Sequence, residues 1–240
     1  MKARNKAMLL AVCAIALIST SIFGTITYLT DNDSATNTFT VGNVGLELDE
    51  ADVKPDGTLD TTERVKENEY YLIPGHTYIK DPTVTVTAKS EDAYVRMIVK
   101  VERIDQLKAA LPKEDYPEYY NDNLLLLQML CVDMDGSSTW DGTTWVYKGY
   151  TQSDDGETGT YEFRYIGNAK DTEGKPLNNE IVVKSESETK LPALFQCITG
   201  PGKVDNTHLK YLDDVKIVVN AHAIQADGFD TAEQAWDVFD

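Results

Sequence analysis

The chain has 240 residues, 42% of them hydrophobic, and a formal charge of -18 from 40 acidic and 22 basic side chains. That apolar fraction is too high for a disordered chain, and so acidic a surface repels phosphate backbones, which argues against nucleic acid as a partner. Thirteen tyrosines among many valines and threonines favour β structure, and the length fits one large domain or two small ones.

Met1 to Lys6 carries three cations, Lys2, Arg4 and Lys6, and Ala7 to Ile18 is an unbroken apolar run. These are the n-region and h-region of a secretory signal peptide, too short for an ordinary membrane span. Cleavage is expected after Thr27 or Tyr28. Residues 1–28 are therefore read as a signal peptide, the product as secreted to the extracellular matrix or cell surface, and membrane contact as confined to the uncleaved signal. Cys13 lies inside the apolar run behind bulky Val12, which is not the arrangement of a lipidation site.

Leu29 to Asn37 is a polar leader with Asp31 and Asp33. From Thr36 to Leu48 the pattern is that of a strand with one buried face: Phe39 and Val41 alternate with Thr38 and Thr40. Gly42-Asn43 shifts the phase by one, as a bulge does, and Val44, Leu46 and Leu48 resume it. An N-terminal strand with an apolar face must pair with a sheet, its own or a neighbour's.

Ala51 to Asn68 is acidic and polar around Pro55-Asp56-Gly57 and is expected to be a long exposed loop. Pro74-Gly75 is a second turn. Tyr78 to Ala88 and Tyr94 to Val101 alternate as core strands of an antiparallel sheet, the second with the mixed outer face Tyr94, Arg96, Ile98 and Lys100.

The run Gly24-Thr25-Ile26-Thr27-Tyr28, the acidic leader, the spacing of Phe39, Gly42, Leu46 and Leu48, and Leu72-Ile73-Pro74-Gly75-His76 before a Thr/Val strand together resemble the TasA/camelysin family of secreted bacterial biofilm-matrix proteins. The resemblance covers roughly residues 20–105. It implies a jelly-roll-like β-sandwich, processing by a type I signal peptidase of the SipW type, and fibres in which each subunit's N-terminal strand completes the sheet of the next. The residues matching that donor strand are Phe39, Val41, Val44, Leu46 and Leu48. The partner is then the protein itself, in a head-to-tail homopolymer.

Further along, Ile104 to Leu111 reads as a short helix ended by Pro112, and Lys113 to Asn123 is aromatic and acidic. Leu124 to Val132 is apolar and fits helix or buried strand equally. Asp133 to Gly142 is a turn-rich loop whose aspartates also suit calcium. Thr143 to Tyr150 and Thr160 to Ile166 form a hairpin around an acidic, glycine-containing loop, and Gly167 to Asn179 is polar. Glu180 to Val183 is a short strand, Leu194 and Phe195 plug one end of the core, and Asp213 to Ala226 is the last strong strand. A C-terminal helix follows, with Asp230 as N-cap, Glu233 three residues on, and Ala232, Ala235, Trp236 and Phe239 as its apolar stripe. The expected fold is mostly β: an antiparallel sandwich over residues 29–240 with inserted loops and short peripheral helices.

No His-Glu-x-x-His, nucleophile elbow, phosphate loop or other cofactor motif is present. The histidines His76, His208 and His222 are scattered, and no metal or catalytic residue is assigned. Cys131 and Cys197 either bridge or stay as two buried thiols. Three functions fit: a fibre-forming matrix protein, a monomeric surface module binding through Tyr116, Tyr119, Tyr120, Trp140 and Trp145, and, least of all, a metal-dependent peptidase.

Overall fold

The structure, a computed structural model, describes the strand backbones of residues 30–34 and 37–39, and residues 44–68, 70, 73–111, 125–167, 180–202, 204, 212 and 215–240. Residues 1–28, read above as a signal peptide, and residues 113–123, 168–179 and His208 lie outside these residues.

In chain order the elements are β1 (Thr30–Ser34), β2 (Asn37–Phe39), β3 (Leu46–Val53), β4 (Leu59–Val65), β5 (Thr77–Ile79), β6 (Thr83–Val86), β7 (Ala93–Glu102), α1 (Ile104–Ala110), α2 (Leu125–Met129), β8 (Leu130–Cys131), β9 (Trp145–Gln152), β10 (Thr158–Tyr165), β11 (Thr189–Lys190), β12 (Cys197–Thr199), β13 (Lys216–Gln225) and α3 (Ala232–Phe239). They build a six-stranded sheet in the order β2-β1-β13-β7-β10-β9, a four-stranded sheet β11-β6-β3-β4 and a three-stranded sheet β5-β12-β8. Every ladder is antiparallel. The architecture is a β-sandwich with few short helices.

Alternation decides which side chains meet. Val95, Met97, Val99 and Val101 of β7, Tyr161 and Phe163 of β10, and Val219, Ala221 and Ala223 of β13 share one apolar core with Leu46, Leu48, Val84 and Val86 from the four-stranded sheet and with Val44 just before it. Ile104, Leu107 and Ala110 of α1 and Leu125, Leu126 and Met129 of α2 join that core, as do Leu194 and Phe195. A second, smaller cluster lies on the outer face of the large sheet, where Ala235 and Trp236 of α3 cover Tyr94 and Ile224.

Several boundaries differ from the expected ones. The described residues of the stretch 36–48 fall in two sheets: the chain is in the six-stranded sheet at Phe39 and in the four-stranded sheet by Leu46. A phase change in alternation marks a change of sheet as readily as a bulge. Residues 51–68 form a hairpin, since β3 runs to Val53 and β4 returns, with Gly57 at φ +80° in the turn. β4 escapes the pattern because both its faces are polar or exposed. The span Tyr78–Ala88 is broken into β5 and β6, and Pro82, which has no N–H for a ladder, lies between them. Val183 makes one isolated bridge to Ala93 rather than a strand. Leu125–Cys131 is a five-residue helix running straight into a two-residue strand, which explains its ambiguous period.

Candidate assembly surface

β1 pairs with β13 from Thr30↔Ile224 to Ser34↔Asn220, and β2 folds back on β1 from Ser34↔Asn37 to Asn32↔Phe39. Among the described residues β2 is thus the last strand of the large sheet on that side, and β9 the last on the other. β7 is the spine: it pairs over its full length with β13 on one side and over seven residues with β10 on the other.

The five residues matching a donor strand do not sit together. Phe39 is in β2 at the sheet edge, and Val41 lies outside the described residues. Val44, Leu46 and Leu48 are 0%, 2% and 5% exposed in the molecule's own core. β3 is held there by β6, from Leu46↔Val86 to Asp49↔Thr83, and by β4 from Glu50 onward. Gly45 lies so close to β6 that a Cβ there would stand 2.1 Å from Thr87 Oγ1.

Because β4 meets β3 only beyond Asp49, residues Gly45 to Asp49 line an open groove with Arg64, Val65, Lys66 and Thr87. Arg64 spans its wall, donating to the Asp49 carboxylate, to Asp81 Oδ2 at 2.8 Å and to Thr83 Oγ1 at 2.9 Å. This fork ties β4 to the sheet at the point where their ladder ends.

Cys131 and Cys197 form a disulfide between β8 and β12, with 5.1 Å between their Cα atoms in a directly opposed pair. Trp145 is not a loop ligand: it is fully buried at the start of β9, and its indole N–H donates to Pro192 O at 3.0 Å. A large apolar ring at an inward strand position belongs to the core even where the flanking sequence reads as turn. Trp140 packs edge-on against Phe163 at 5.4 Å, and Tyr116, Tyr119 and Tyr120 lie outside the described residues.

His76 Nε2 lies 2.7 Å from Asp56 O, in the turn between β3 and β4. His222 is on the outer face of β13, opposite Arg96 of β7. Among the described residues no three His, Cys, Asp or Glu side chains converge as metal ligands. In the 133–142 loop, Asp135 Oδ1 accepts from Ser137 N and Asp133 Oδ2 from Ser137 Oγ, so these carboxylates shape their own turn. No described helix is long and apolar enough to cross a membrane.

Sequence reasoning missed two groups: the buried ion pair Glu50–Lys80 and the two buried arginines Arg96 and Arg164. In the sequence the second showed only as charges on the mixed outer faces of β7 and β10. No family model, curated protein or solved structure matches this chain.

Proposed function

We propose that the protein is a secreted matrix subunit that builds fibres by donating its N-terminal strand to the sheet of the next subunit. The observation that carries this reading is the place of β1 and β2: they are the outermost strands on their side of the large sheet and stand first in the described chain. β1 is held to the body by five register pairs along β13. Transfer of β1 and β2 to a neighbour frees the same length of β13 for the strand of a third subunit. Main-chain hydrogen bonds lost within one molecule are regained between two.

β3 stays at home in this scheme. Withdrawing Val44, Leu46 and Leu48 would cost roughly 1.5–3 kcal/mol for each buried side chain. The donated elements are therefore β1 and β2. The contact is head-to-tail and does not close on itself, so it propagates into a filament. The motif resemblance to the TasA/camelysin family supports the same reading, as does an acidic surface that keeps the unassembled chain soluble.

A locked variant tests it. Ser34 and Asn220 are register partners. Ser34→Cys with Asn220→Cys, once oxidised, fastens the strand to its own sheet. Negative-stain microscopy should show fibres for the chain starting at Leu29 and for each single-cysteine control, and none for the oxidised pair. Fibres from the oxidised pair, or compact monomers throughout, would sink the reading.

A further inference from the structure

Arg164 of β10, Arg96 of β7 and His222 of β13 stand directly opposite one another, in one row across the outer face of the large sheet. Like charges directly opposite on neighbouring strands repel. The two arginines are also buried, at 6% and 3% exposure, beneath α3. Carboxylates answer them. Asp240 takes both terminal nitrogens of Arg96, one at 2.9 Å. Glu162 lies 3.4 Å from Arg96 and 2.6 Å from Arg164. Glu180 and Glu233 lie 3.1 Å and 2.6 Å from Arg164 Nη1, and Lys148 of β9 is 3.9 Å and 3.7 Å from the same two acids.

α3 supplies the roof. The Arg96 guanidinium sits 4.5 Å from the Trp236 ring centre and 4.8 Å from that of Phe239. The Trp236 indole donates to Glu180 Oε2 at 2.7 Å. His222 stacks on Phe239 with centroids 5.1 Å apart and planes 21° apart. Its Nδ1 accepts from Arg96 Nε at 3.2 Å. A guanidinium has only donors, so this contact requires a neutral ring with a lone pair on Nδ1.

We infer that α3 is a latch over the outer face of the sheet and that protonation of His222 releases it, uncovering the apolar patch around Tyr94 and Ile224. A proton on Nδ1 sets N–H against N–H and makes the row three cations wide in a covered place. The charged groups facing the ring are Arg96 and Lys100 from β7 and Asp240 from the end of α3, with Arg164 and Glu162 one strand further on; across the ladder to β1 its register partner is Asn32. Burial, then Arg96, then Lys100 hold the imidazole down to about 4, against the pull of Asp240. Arg96, by donating to Asp240, holds that carboxyl below its ordinary value. Both groups therefore have lower proton affinity in the docked state. Docking is at full strength above the ordinary histidine value of 6.5 and weakens as pH falls from there through about 4, with Asp240 adding to the loss further down.

Hydrogen exchange read by mass spectrometry tests this in the intact mature chain. After correction for intrinsic rates, the peptide over Ala232–Asp240 should lose protection by on the order of 100-fold between pH 7 and pH 4. Peptides from β7 and β10 should stay protected. His222→Gln keeps a neutral acceptor for Arg96 and should flatten the profile. Direct NMR titration of the His222 ring in the unmodified chain gives a second reading that needs no variant, and should place its titration near 4. Unchanged protection of the helix, loss in step with β7, an unaltered profile in His222→Gln, or an ordinary histidine titration would each overturn the latch.

Discussion

Glu50 and Lys80 are only 4% and 8% exposed, yet their charged ends meet at 2.5 Å inside the fold. Asn68 donates to the second Glu50 oxygen at 2.8 Å, and the Tyr70 ring lies 5.4 Å from the Lys80 ammonium. Burial, reinforced by the Glu50 charge, pushes the Tyr70 phenol far above its usual range, so it stays a neutral donor to Ile79 O. Removing one ion leaves the other stranded. Glu50→Ala should cost about 3 kcal/mol in urea unfolding, whereas Glu50→Leu with Lys80→Met should cost far less. Gly45 offers a second test at this scale. Gly45→Ala drives a methyl onto Thr87 and should cost about 1–3 kcal/mol, and Thr87→Ala in the same chain should recover much of it. Neither position was legible from the sequence. Glu50 sits among acidic neighbours and Gly45 beside two apolar runs, so only the tertiary packing reveals what each one touches.

α3 shows what local chemistry can and cannot announce. Its extent and apolar stripe follow from the spacing of Ala232, Ala235, Trp236 and Phe239. Its cap is shifted by one residue from the expected Asp230: Thr231 has extended backbone and accepts from Gln234 N at 3.3 Å, while Gln234 Oε1 accepts from Asp230 N at 3.0 Å. Only the forward half of a capping box is kept, since Gln234 returns its side chain to the residue before the cap, and Glu233 is left to bind Arg164. Thr231→Ala should therefore weaken the helix by about 1 kcal/mol and Asp230→Ala by clearly less, read as loss of amide protection in residues 232–240. β13, α1 and the β9–β10 hairpin were equally plain in the sequence, because each has one wetter and one dry face or a turn of recognised composition, and β7 showed its alternation although both its faces are buried over most of its length. β4 was not, since a strand with no dry face has no period to show. The Arg164–Arg96–His222 row was not either, because it depends on the register of three strands far apart in sequence.

Across the whole molecule, the Cys131–Cys197 bridge ties β8 to β12 over a sequence separation of 66 residues. Closing a loop of that length limits the unfolded chain, and replacing both cysteines with alanine should lower stability by about 4 kcal/mol in guanidinium titration, with the β-sandwich retained in water. That the chain is mostly antiparallel β was legible from alternation and turns, whereas the sandwich was what the family resemblance implied. The division into three sheets was not, because alternation says which residues are buried without saying which strands are neighbours. One neighbour relation has a mechanical consequence. Thr30 opens β1 and pairs with Ile224 near the close of β13, so a load between the segment before Thr30 and the segment after Gln225 enters both strands at the same end. The pair then unzips, one rung after another, instead of resisting in shear. A single molecule stretched by its two ends should give way at this seam at low force, long before the spine of the sheet is felt.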